Sequence, residues 1–314
     1  MPDPSFERVE YDEFGLFHEN AEEFGLPFDG PPIVRREFVE VEPGRSLSAL
    51  VWGTGDPELV LLHGGAQNAH TWDTVALALG RPLVAIDLPG HGHSDGGRDG
   101  SLAVQQNAGD VAAAIRSLAP HARGVAGMSL GGATTLALAH VAPEVVRAVV
   151  LVDITPGVTG EKAKAITSFV AGPASFASFD ELLERTVQFN PTRSVASLRR
   201  GILHNAVQRD DGTWVWRYAR WRELDAPAGG SDTPPEPDAP KGPDFAPLWD
   251  VVSSLAVPLM LVRGMRVGSV VDDEDEAELL RRAPGARVEH VDAGHSVQGD
   301  APLELARLLD DFLP

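Results

Sequence analysis

A serine lies between glycines where an apolar run gives way to an alanine-rich segment. The stretch VAGMSLGGAT covers residues 125–134 and contains the pattern G-x-S-x-G from Gly127 to Gly131. A strand that turns sharply into a helix strains its central residue, needs small neighbours, and exposes the side chain at the helix N-terminus. Glycine and serine are also common in ordinary turns, so the strand–turn–helix setting carries the prediction. This setting predicts that Ser129 is a nucleophile for acyl transfer and that the backbone N–H of Leu130 donates to the oxyanion.

A serine hydroxyl is a poor nucleophile unless a base takes its proton. The chain has ten histidines. We favour His295 as the base, because it follows the last predicted strand and so lies at the same sheet edge as Ser129. His91 and His93 follow the fourth predicted strand, where a structural role is favoured. Several others fall in helical or strand patterns typical of surface or packing residues: His18, His121, His140, His204 and His290.

Two carboxylates remain open as the group that orients the base. Asp153 ends the apolar run VVLVD at residues 149–153, and a carboxylate at the end of a buried strand is costly without a partner. Asp272 begins an acidic run over residues 272–276 that opens a predicted helix, where acidic residues serve as caps. We favour Asp153 over Asp272 as the partner of His295. The alternative is that Asp153 only anchors the start of the segment that follows it.

The strands and helices that position these residues can be read from the apolar pattern. Two alternating runs joined by a Pro-Gly turn predict a hairpin at residues 33–41 and 46–53. Unbroken apolar runs predict strands buried on both faces at residues 59–63 and 82–87. Two more buried strands are predicted at residues 146–153 and 258–264, and a last one at 286–291. Helices are predicted at residues 72–79, 103–118, 130–141, 276–283 and 303–312. This alternation predicts a mostly parallel sheet covered by helices on both faces.

One long segment, residues 156–247, interrupts the alternation of strands and helices. It contains helical pieces at residues 162–170, 179–188 and 195–205, and it ends in a Pro/Gly-rich loop at 226–244. Since the chain returns to the same sheet afterwards, we expect a helical cap rather than a separate second domain. The tryptophans of this segment are expected to bind substrate, with simple packing as the alternative: Trp214, Trp216 and Trp221. The predicted division is an acidic extension at 1–32, a core at 33–155 and 248–314, and the cap.

The order and spacing of these motifs resemble the α/β-hydrolase superfamily, in the branch with a cap between the sixth and seventh strands. The resemblance covers about residues 33–314 and rests on four marks: His63-Gly64-Gly65 with Trp72 after it, the run Asp87–Ser94, the serine motif, and Gly294-His295. It implies an eight-stranded sheet and a serine nucleophile. It also implies that His63 shapes the oxyanion loop and that Gly65, or Ala66 as the near alternative, supplies the second oxyanion donor.

The chain departs from the commonest pattern of that superfamily at one place. An aspartate usually lies about three residues after the glycine that closes the seventh strand, but Gly264–Gly268 contains no carboxylate. Some relatives carry their acid after the sixth strand instead. This departure is a further reason to favour Asp153.

Composition limits the classes of partner. The net charge of −20, from 26 basic and 46 acidic residues, argues against nucleic acid and anionic membranes as partners. The absence of cysteine excludes disulfides and thiolate metal sites, and neither a phosphate-binding loop nor a spacing typical of metal ligands is present, so no cofactor or metal is expected. The first residues do not resemble a signal peptide, and no apolar run reaches the roughly 18 residues that span a bilayer. These observations predict a cytoplasmic monomer or homodimer that acts on a small molecule.

The sequence therefore predicts a serine hydrolase that cleaves a neutral, fairly apolar carboxylic ester or lactone through an acyl-enzyme. A serine nucleophile in place of aspartate argues against epoxide hydrolase and haloalkane dehalogenase chemistry. The same serine nucleophile, histidine base and orienting aspartate would also serve a carbon–carbon bond hydrolase, a perhydrolase or an acyltransferase. A non-catalytic receptor on the same scaffold is a further alternative by analogy of fold.

Overall fold

The structure of the chain is a computed structural model that describes residues 8–97, 104–191, 193–218 and 244–313. Trp221 and nearly all of the predicted Pro/Gly-rich loop at 226–244 lie outside the described residues.

The central sheet of the described residues has eight strands in the order β1-β2-β4-β3-β5-β6-β10-β11. Their bounds are β1 Val34–Glu42, β2 Arg45–Trp52, β3 Leu59–Leu62, β4 Leu83–Ile86, β5 Gly124–Met128, β6 Val149–Val152, β10 Leu259–Gly264 and β11 Arg287–Val291. Strand β2 pairs antiparallel with β1 and β4, and the other pairs are parallel. The carboxyl ends of β3, β5, β6 and β10 therefore meet at one edge, where the candidate residues lie.

Helices cover both faces of this sheet. Their bounds are α1 Phe17–Phe24, α2 Asp73–Leu79, α3 Val104–Leu118, α4 Leu130–Val141, α8 Leu248–Ser254, α9 Asp273–Arg282, α10 Val297–Asp300 and α11 Pro302–Phe312. Alternate residues of one strand enter different cores: Leu62 packs with α3, α4 and α8, whereas Leu61 packs with α1, α2 and α11. This double burial explains why the strands read as unbroken apolar runs. Among the described residues, no helix is both long and apolar enough to cross a membrane.

The segment between β6 and α8 folds over the carboxyl edge of the sheet. It contains α5 Lys164–Val170, α6 Phe179–Phe189 and α7 Val195–Asn205, close to the predicted helices. It also contains a small antiparallel sheet, β7-β9-β8, which the sequence analysis did not predict. Its strands are β7 Ser175–Phe176, β8 Ala206–Gln208 and β9 Trp214–Trp216. Strands of two or three residues carry too little alternation to be recognised, and they are stabilised by packing of their own aromatic side chains.

The described part of the N-terminal extension, residues 8–24, contacts both the sheet domain and this inserted segment. Phe17 packs edge-on against Trp52, with ring centroids 5.0 Å apart. On the other side, Glu23 accepts a hydrogen bond from Arg200 of α7. We refer to residues 8–24 as the N-terminal segment. Its aromatic side docks on the main body.

Candidate active site

Ser129 lies between the end of β5 and the start of α4, at φ 51° and ψ −118°. A Cβ atom at Gly127 would lie 2.3 Å from the carbonyl oxygen of Gly131, and one at Gly131 would lie 2.3 Å from that of Leu62. These contacts involve backbone atoms that cannot move aside. The two glycines are therefore required by close approach of the chains, which leaves the serine side chain half-exposed on the bend.

Asp153 and His295 meet at the same edge of the sheet. The Nδ1 atom of His295 lies 2.8 Å from Oδ2 of Asp153, across 142 residues of sequence. The Asp153 carboxylate is fully buried and also accepts hydrogen bonds from Gly264 N, Ser269 Oγ and Val270 N. Because its other neighbours all donate to the carboxylate, it can accept a hydrogen bond from Nδ1 of His295, which leaves Nε2 as the acceptor atom of the neutral ring. The Nε2 atom of His295 is buried without a hydrogen-bond partner among the described residues.

The loop after β10 supplies donors rather than an acid to this site. Its Gly264, Ser269 and Val270 all hydrogen-bond to Asp153, which comes from the end of β6. The missing carboxylate after β10 is thus matched by a carboxylate on the neighbouring strand.

Asp272 lies elsewhere and caps α9. Its side chain accepts a hydrogen bond from the backbone N–H of Asp275 at 3.0 Å, in a reciprocal capping box. It also lies 2.7 Å from Nζ of Lys162, and the hydrogen bond from that lysine lowers the pKa of Asp272. No contact between Asp272 and His295 is present among the described residues.

The loop after β3 faces the start of α4. Gly65 lies beside Leu130, since a Cβ on the glycine would be 4.0 Å from Cδ2 of the leucine. Leu130 is the first residue of α4, so its N–H has no acceptor within the helix. Ala66 adopts φ 60°, and its carbonyl oxygen accepts a hydrogen bond from Nδ2 of Asn205 at 2.7 Å. Gly65 therefore lies close to the N-terminus of α4, which begins directly after Ser129.

His63 supports this loop as a neutral imidazole. Its Nε2 accepts the N–H of Leu88 at 2.9 Å, so Nδ1 carries the proton and donates to the carbonyl of Gly64 at 2.7 Å. Burial, reinforced by the neighbouring His91, lowers the pKa of His63 to about 3. His91 bonds through Nδ1 to the carbonyl of Pro89. Both histidines thus hydrogen-bond to backbone groups and fix the conformation of these loops.

The run that begins at Asp87 is built around a buried carboxylate. Asp87 accepts the N–H groups of Ala69 and His93 and a hydrogen bond from Arg36. Gly92 has φ 54°, and a Cβ there would lie 2.3 Å from the Asp87 carboxyl carbon. Asp87 therefore ties the loops after β3 and β4 together.

A cavity of about 170 Å³ opens beside these residues, between the inserted segment, the N-terminal segment and the loops after β3 and β11. Ala66, Gln67 and Ser296, close neighbours of the candidate catalytic residues, line it. Of the predicted tryptophans, Trp216 lines the cavity, together with Phe169. Trp214 is not among the lining residues; it is buried and packs edge-on against Phe179, with centroids 5.1 Å apart.

Several supporting residues carry no signal in the sequence. Gln67 accepts the N–H of Gly64. Asn205 donates to the carbonyl oxygen of Ala66, and Ser269 donates to the carboxylate of Asp153. These contacts join distant parts of the chain, so only the folded structure brings them together.

Among the described residues, one cluster offers three metal-ligating groups: His70, Asp73 and His204. The two imidazole rings stack face to face, with centroids 3.8 Å apart and an interplanar angle of 12°. Their lone pairs lie in the ring planes and therefore do not converge on one ion. His70 instead bonds to Asp73 at 2.9 Å and Glu13 at 3.0 Å. The cluster fits a buried polar network better than a metal site.

Comparisons with known proteins give one family. The model of the alpha/beta hydrolase family matches residues 59–308. Esterase Rv0045c of Mycobacterium tuberculosis is 44% identical over 311 residues, which are 96% of this chain and 96% of that protein. A solved structure of that esterase, described for transition metal inhibition and structural refinement, has a TM-score of 0.80 at 43% identity and covers 96% of this chain and 99% of its own. A pimeloyl-[acyl-carrier protein] methyl ester esterase of Sodalis glossinidius is 40% identical over 113 residues, 34% of this chain and 42% of that protein.

Proposed function

This chain belongs to the α/β hydrolase family, and we propose that it cleaves carboxylic esters through an acyl-enzyme formed on Ser129. It is an ester hydrolase of that family. The observation that carries the mechanism is the 2.8 Å contact between His295 Nδ1 and the buried Asp153, at the sheet edge where Ser129 stands on its strained bend. That arrangement is what a serine needs to become a nucleophile.

Acylation begins when Ser129 Oγ attacks the ester carbonyl carbon. His295 Nε2, which has no competing partner among the described residues, takes the hydroxyl proton. Asp153 accepts a hydrogen bond from Nδ1–H of His295 and stabilises the imidazolium that forms. The amides of Gly65 and Leu130 donate to the oxyanion of the tetrahedral intermediate. Collapse breaks the ester bond, and His295 gives its proton to the leaving alkoxide.

Deacylation repeats the same steps with water. His295 removes a proton from the water that attacks the acyl-enzyme, the oxyanion forms again between the two amides, and the acid leaves as Ser129 recovers its proton. No step needs a group beyond these side chains, the two backbone amides and water.

The substrate chain occupies the cavity, because Ala66 and Ser296 line the end of the cavity next to the catalytic residues. Phe169 and Trp216 give it an aromatic wall, which suits an apolar acyl or alcohol chain. The sequence also predicts a lactone as an alternative substrate class, and a small lactone ring would occupy the same cavity.

The test is turnover of p-nitrophenyl butyrate together with the mass of the intact protein after rapid acid quench. Wild type should release nitrophenol and carry one butyryl group during turnover, whereas Ser129→Ala should do neither. Ser253→Ala removes an exposed hydroxyl on α8 and serves as the matched control, which should behave as wild type. Acylation of another residue, or undiminished hydrolysis by Ser129→Ala, would contradict the proposal.

A further inference from the structure

The cavity near Ser129 is lined by basic side chains, although the chain as a whole is acidic. The chain has 46 acidic residues and a net charge of −20, yet no aspartate or glutamate is among the described residues that line the cavity. Four basic side chains line it: Arg193, Arg200, His70 and His204, and burial lowers the pKa of His204, so that ring is neutral. Burial alone would lower the pKa of His70, but the carboxylates of Asp73 and Glu13 outweigh it and raise that pKa to about 9, so its ring is charged at neutral pH.

Arg193 differs from its neighbour Arg200 in having no counter-ion. Arg200 pairs with Glu23 and Glu19. Arg193 donates one hydrogen bond, from Nη2 to Ser197 Oγ at 2.6 Å, and its Nε is buried without a partner. In the part of the chain that the structure describes, no carboxylate lies within 4.0 Å of its guanidinium.

The acids nearest to Arg193 in electrostatic effect are already engaged. Asp300 and Glu23 act on it through space. Asp300 accepts the backbone N–H of Gly294 at 2.8 Å, and Glu23 accepts from Ser194 and Arg200. Burial therefore lowers the pKa of Arg193, because its charge is desolvated and poorly compensated. An anion in the cavity would restore that compensation.

The guanidinium is placed within reach of the catalytic centre. It lies against Gly299, where an added Cβ would come within 2.8 Å of the Arg193 Cζ. Gly299 belongs to α10, which starts two residues after His295. The same cavity extends to Ala66 and Ser296 at the catalytic end. The cavity thus extends from Arg193 to Ser296, the residue that follows His295.

We propose that Arg193 determines substrate specificity by binding a carboxylate carried by the ester. The inference rests on the proposed serine esterase function and adds the substrate class: half-esters of dicarboxylic acids, or esters whose alcohol carries a carboxylate. A single planar guanidinium offers two parallel N–H groups to a carboxylate. The sequence predicts a neutral substrate, and a net charge of −20 disfavours an anionic one at long range, whereas Arg193 offers a positive charge with no carboxylate paired to it among the described residues.

The test compares matched esters that differ only in the terminal charge. On the acyl side these are p-nitrophenyl hydrogen adipate and p-nitrophenyl hexanoate. On the alcohol side they are the butyrate ester of 4-hydroxybutanoate and butyl butyrate. In wild type, kcat/KM should favour the carboxylate ester of at least one pair by about tenfold or more, as expected for a charged hydrogen bond.

Variants then assign the preference to the guanidinium. Arg193→Gln should reduce the ratio of kcat/KM, charged over neutral, by about tenfold or more, and Arg193→Lys should keep part of it. Arg199→Gln removes the same charge from a half-exposed position on α7 outside the cavity lining and should leave the ratio unchanged. An equal loss of the ratio in Arg199→Gln, or an unchanged ratio in Arg193→Gln, would overturn the proposal.

A measurement on wild type alone covers the case in which the Arg193 variants do not fold. Adipate should competitively inhibit hydrolysis of p-nitrophenyl hexanoate, and the neutral diamide adipamide, which has no ester bond, should inhibit at least about tenfold less. Equal inhibition by both, or no preference for the charged ester in either pair, overturns the carboxylate site while turnover itself persists. If all esters remain inert with wild type, the proposed esterase function fails instead.

Discussion

At the scale of single residues, the site depends on which atoms donate and which accept. Asp153 accepts from Gly264, Ser269, Val270 and His295, so its charge is compensated by four donors within a fully buried position. Such a carboxylate remains an acceptor and keeps the histidine in one tautomer. The unpartnered Nε2 of His295 is then the only ring atom available to Ser129.

Removal of the nucleophile or the base should abolish hydrolysis. Ser129→Ala and His295→Ala should each lower kcat on the order of 10⁴-fold or more, and the double variant should lose little beyond either single one, because the residues act as a unit. Steady-state kinetics with p-nitrophenyl butyrate measures this, and circular dichroism checks the fold. Residual activity within about tenfold of wild type in either folded variant would contradict the assignment.

Substitution of the two candidate acids should give opposite profiles. Asp153→Asn should lower kcat by up to about 10⁴-fold, since the amide cannot support the imidazolium. Asp272→Asn loses only a half-exposed ion pair with Lys162, worth at most about 1 kcal/mol, and should keep its activity. The measurements are kcat and the melting temperature of both variants. Equal losses of kcat in both would remove Asp153 from its proposed role.

The sequence predicts residues whose position follows from strand order, and it misses those that depend on tertiary contact. Ser129 and His295 are marked by local patterns, and Asp153 by the end of a buried strand; their catalytic roles stay predictions. Arg193 carries no local signal, because its environment is made by Gly299 and the N-terminal segment, which lie far away in sequence. His70 likewise depends on Glu13, 57 residues away.

At the scale of elements, the bend between β5 and α4 requires its glycines. Gly127→Ala would place a Cβ 2.3 Å from the carbonyl oxygen of Gly131, and backbone atoms on both sides prevent relaxation. We expect a loss of about 1–3 kcal/mol in the free energy of unfolding, together with reduced activity from a displaced serine. Denaturant unfolding followed by tryptophan fluorescence measures the first effect.

The control for that substitution is another glycine in a helix. Gly109 lies on the exposed side of α3 with no atom within 4 Å of an added Cβ. Gly109→Ala should raise the free energy of unfolding by up to about 1 kcal/mol, because alanine favours the helix. If both substitutions destabilise equally, crowding at Gly127 is not the cause.

The docking of the N-terminal segment should depend on pH through His70. This ring faces Glu13, Asp73, Arg36 and His204. The carboxylates outweigh its burial and raise its pKa from 6.5 to about 9 in the folded protein. Its contribution to stability is therefore fully present below pH 6.5 and is lost as the pH rises through about 9.

Glu13→Gln removes one of the carboxylates that hold the His70 ring charged. The alkaline loss of stability should then begin at lower pH than in wild type, which thermal melting between pH 6 and pH 10 measures at about half-unit steps. Glu10→Gln, an exposed change of equal charge on the same segment, is the control. A shift of the same size in the control, or none in Glu13→Gln, would show that the network does not set this dependence.

Elements were predicted well where their signals are local. Helices α4 and α7 have the predicted bounds, Leu130–Val141 and Val195–Asn205, and the fold class is confirmed. The central strands β3, β4 and β6 were found because burial on both faces leaves no polar residue in them. The β7-β9-β8 sheet was missed because its short strands depend on contacts within the inserted segment. The division of the chain into extension, core and cap stays a prediction.

At the scale of the whole molecule, the negative net charge and the positive charge of Arg193 act on an anionic substrate in opposite directions. A net charge of −20 repels an anionic ester over long distances. The contact with Arg193 is short and partly buried, and salt screens such contacts less than it screens exposed charges. The two effects therefore differ in their dependence on ionic strength.

Salt should strengthen the binding of the charged ester. Between about 10 and 150 mM NaCl the screening length falls from roughly 30 to 8 Å, which removes most of the long-range repulsion. The KM of wild type for p-nitrophenyl hydrogen adipate should fall over this range, while that for p-nitrophenyl hexanoate should stay constant. Arg193→Gln should show the same fall from a higher starting KM, since the repulsion belongs to the whole chain and not to the cavity. A KM that rises with salt for the charged ester in wild type would mean that screening of the local attraction outweighs screening of the global charge.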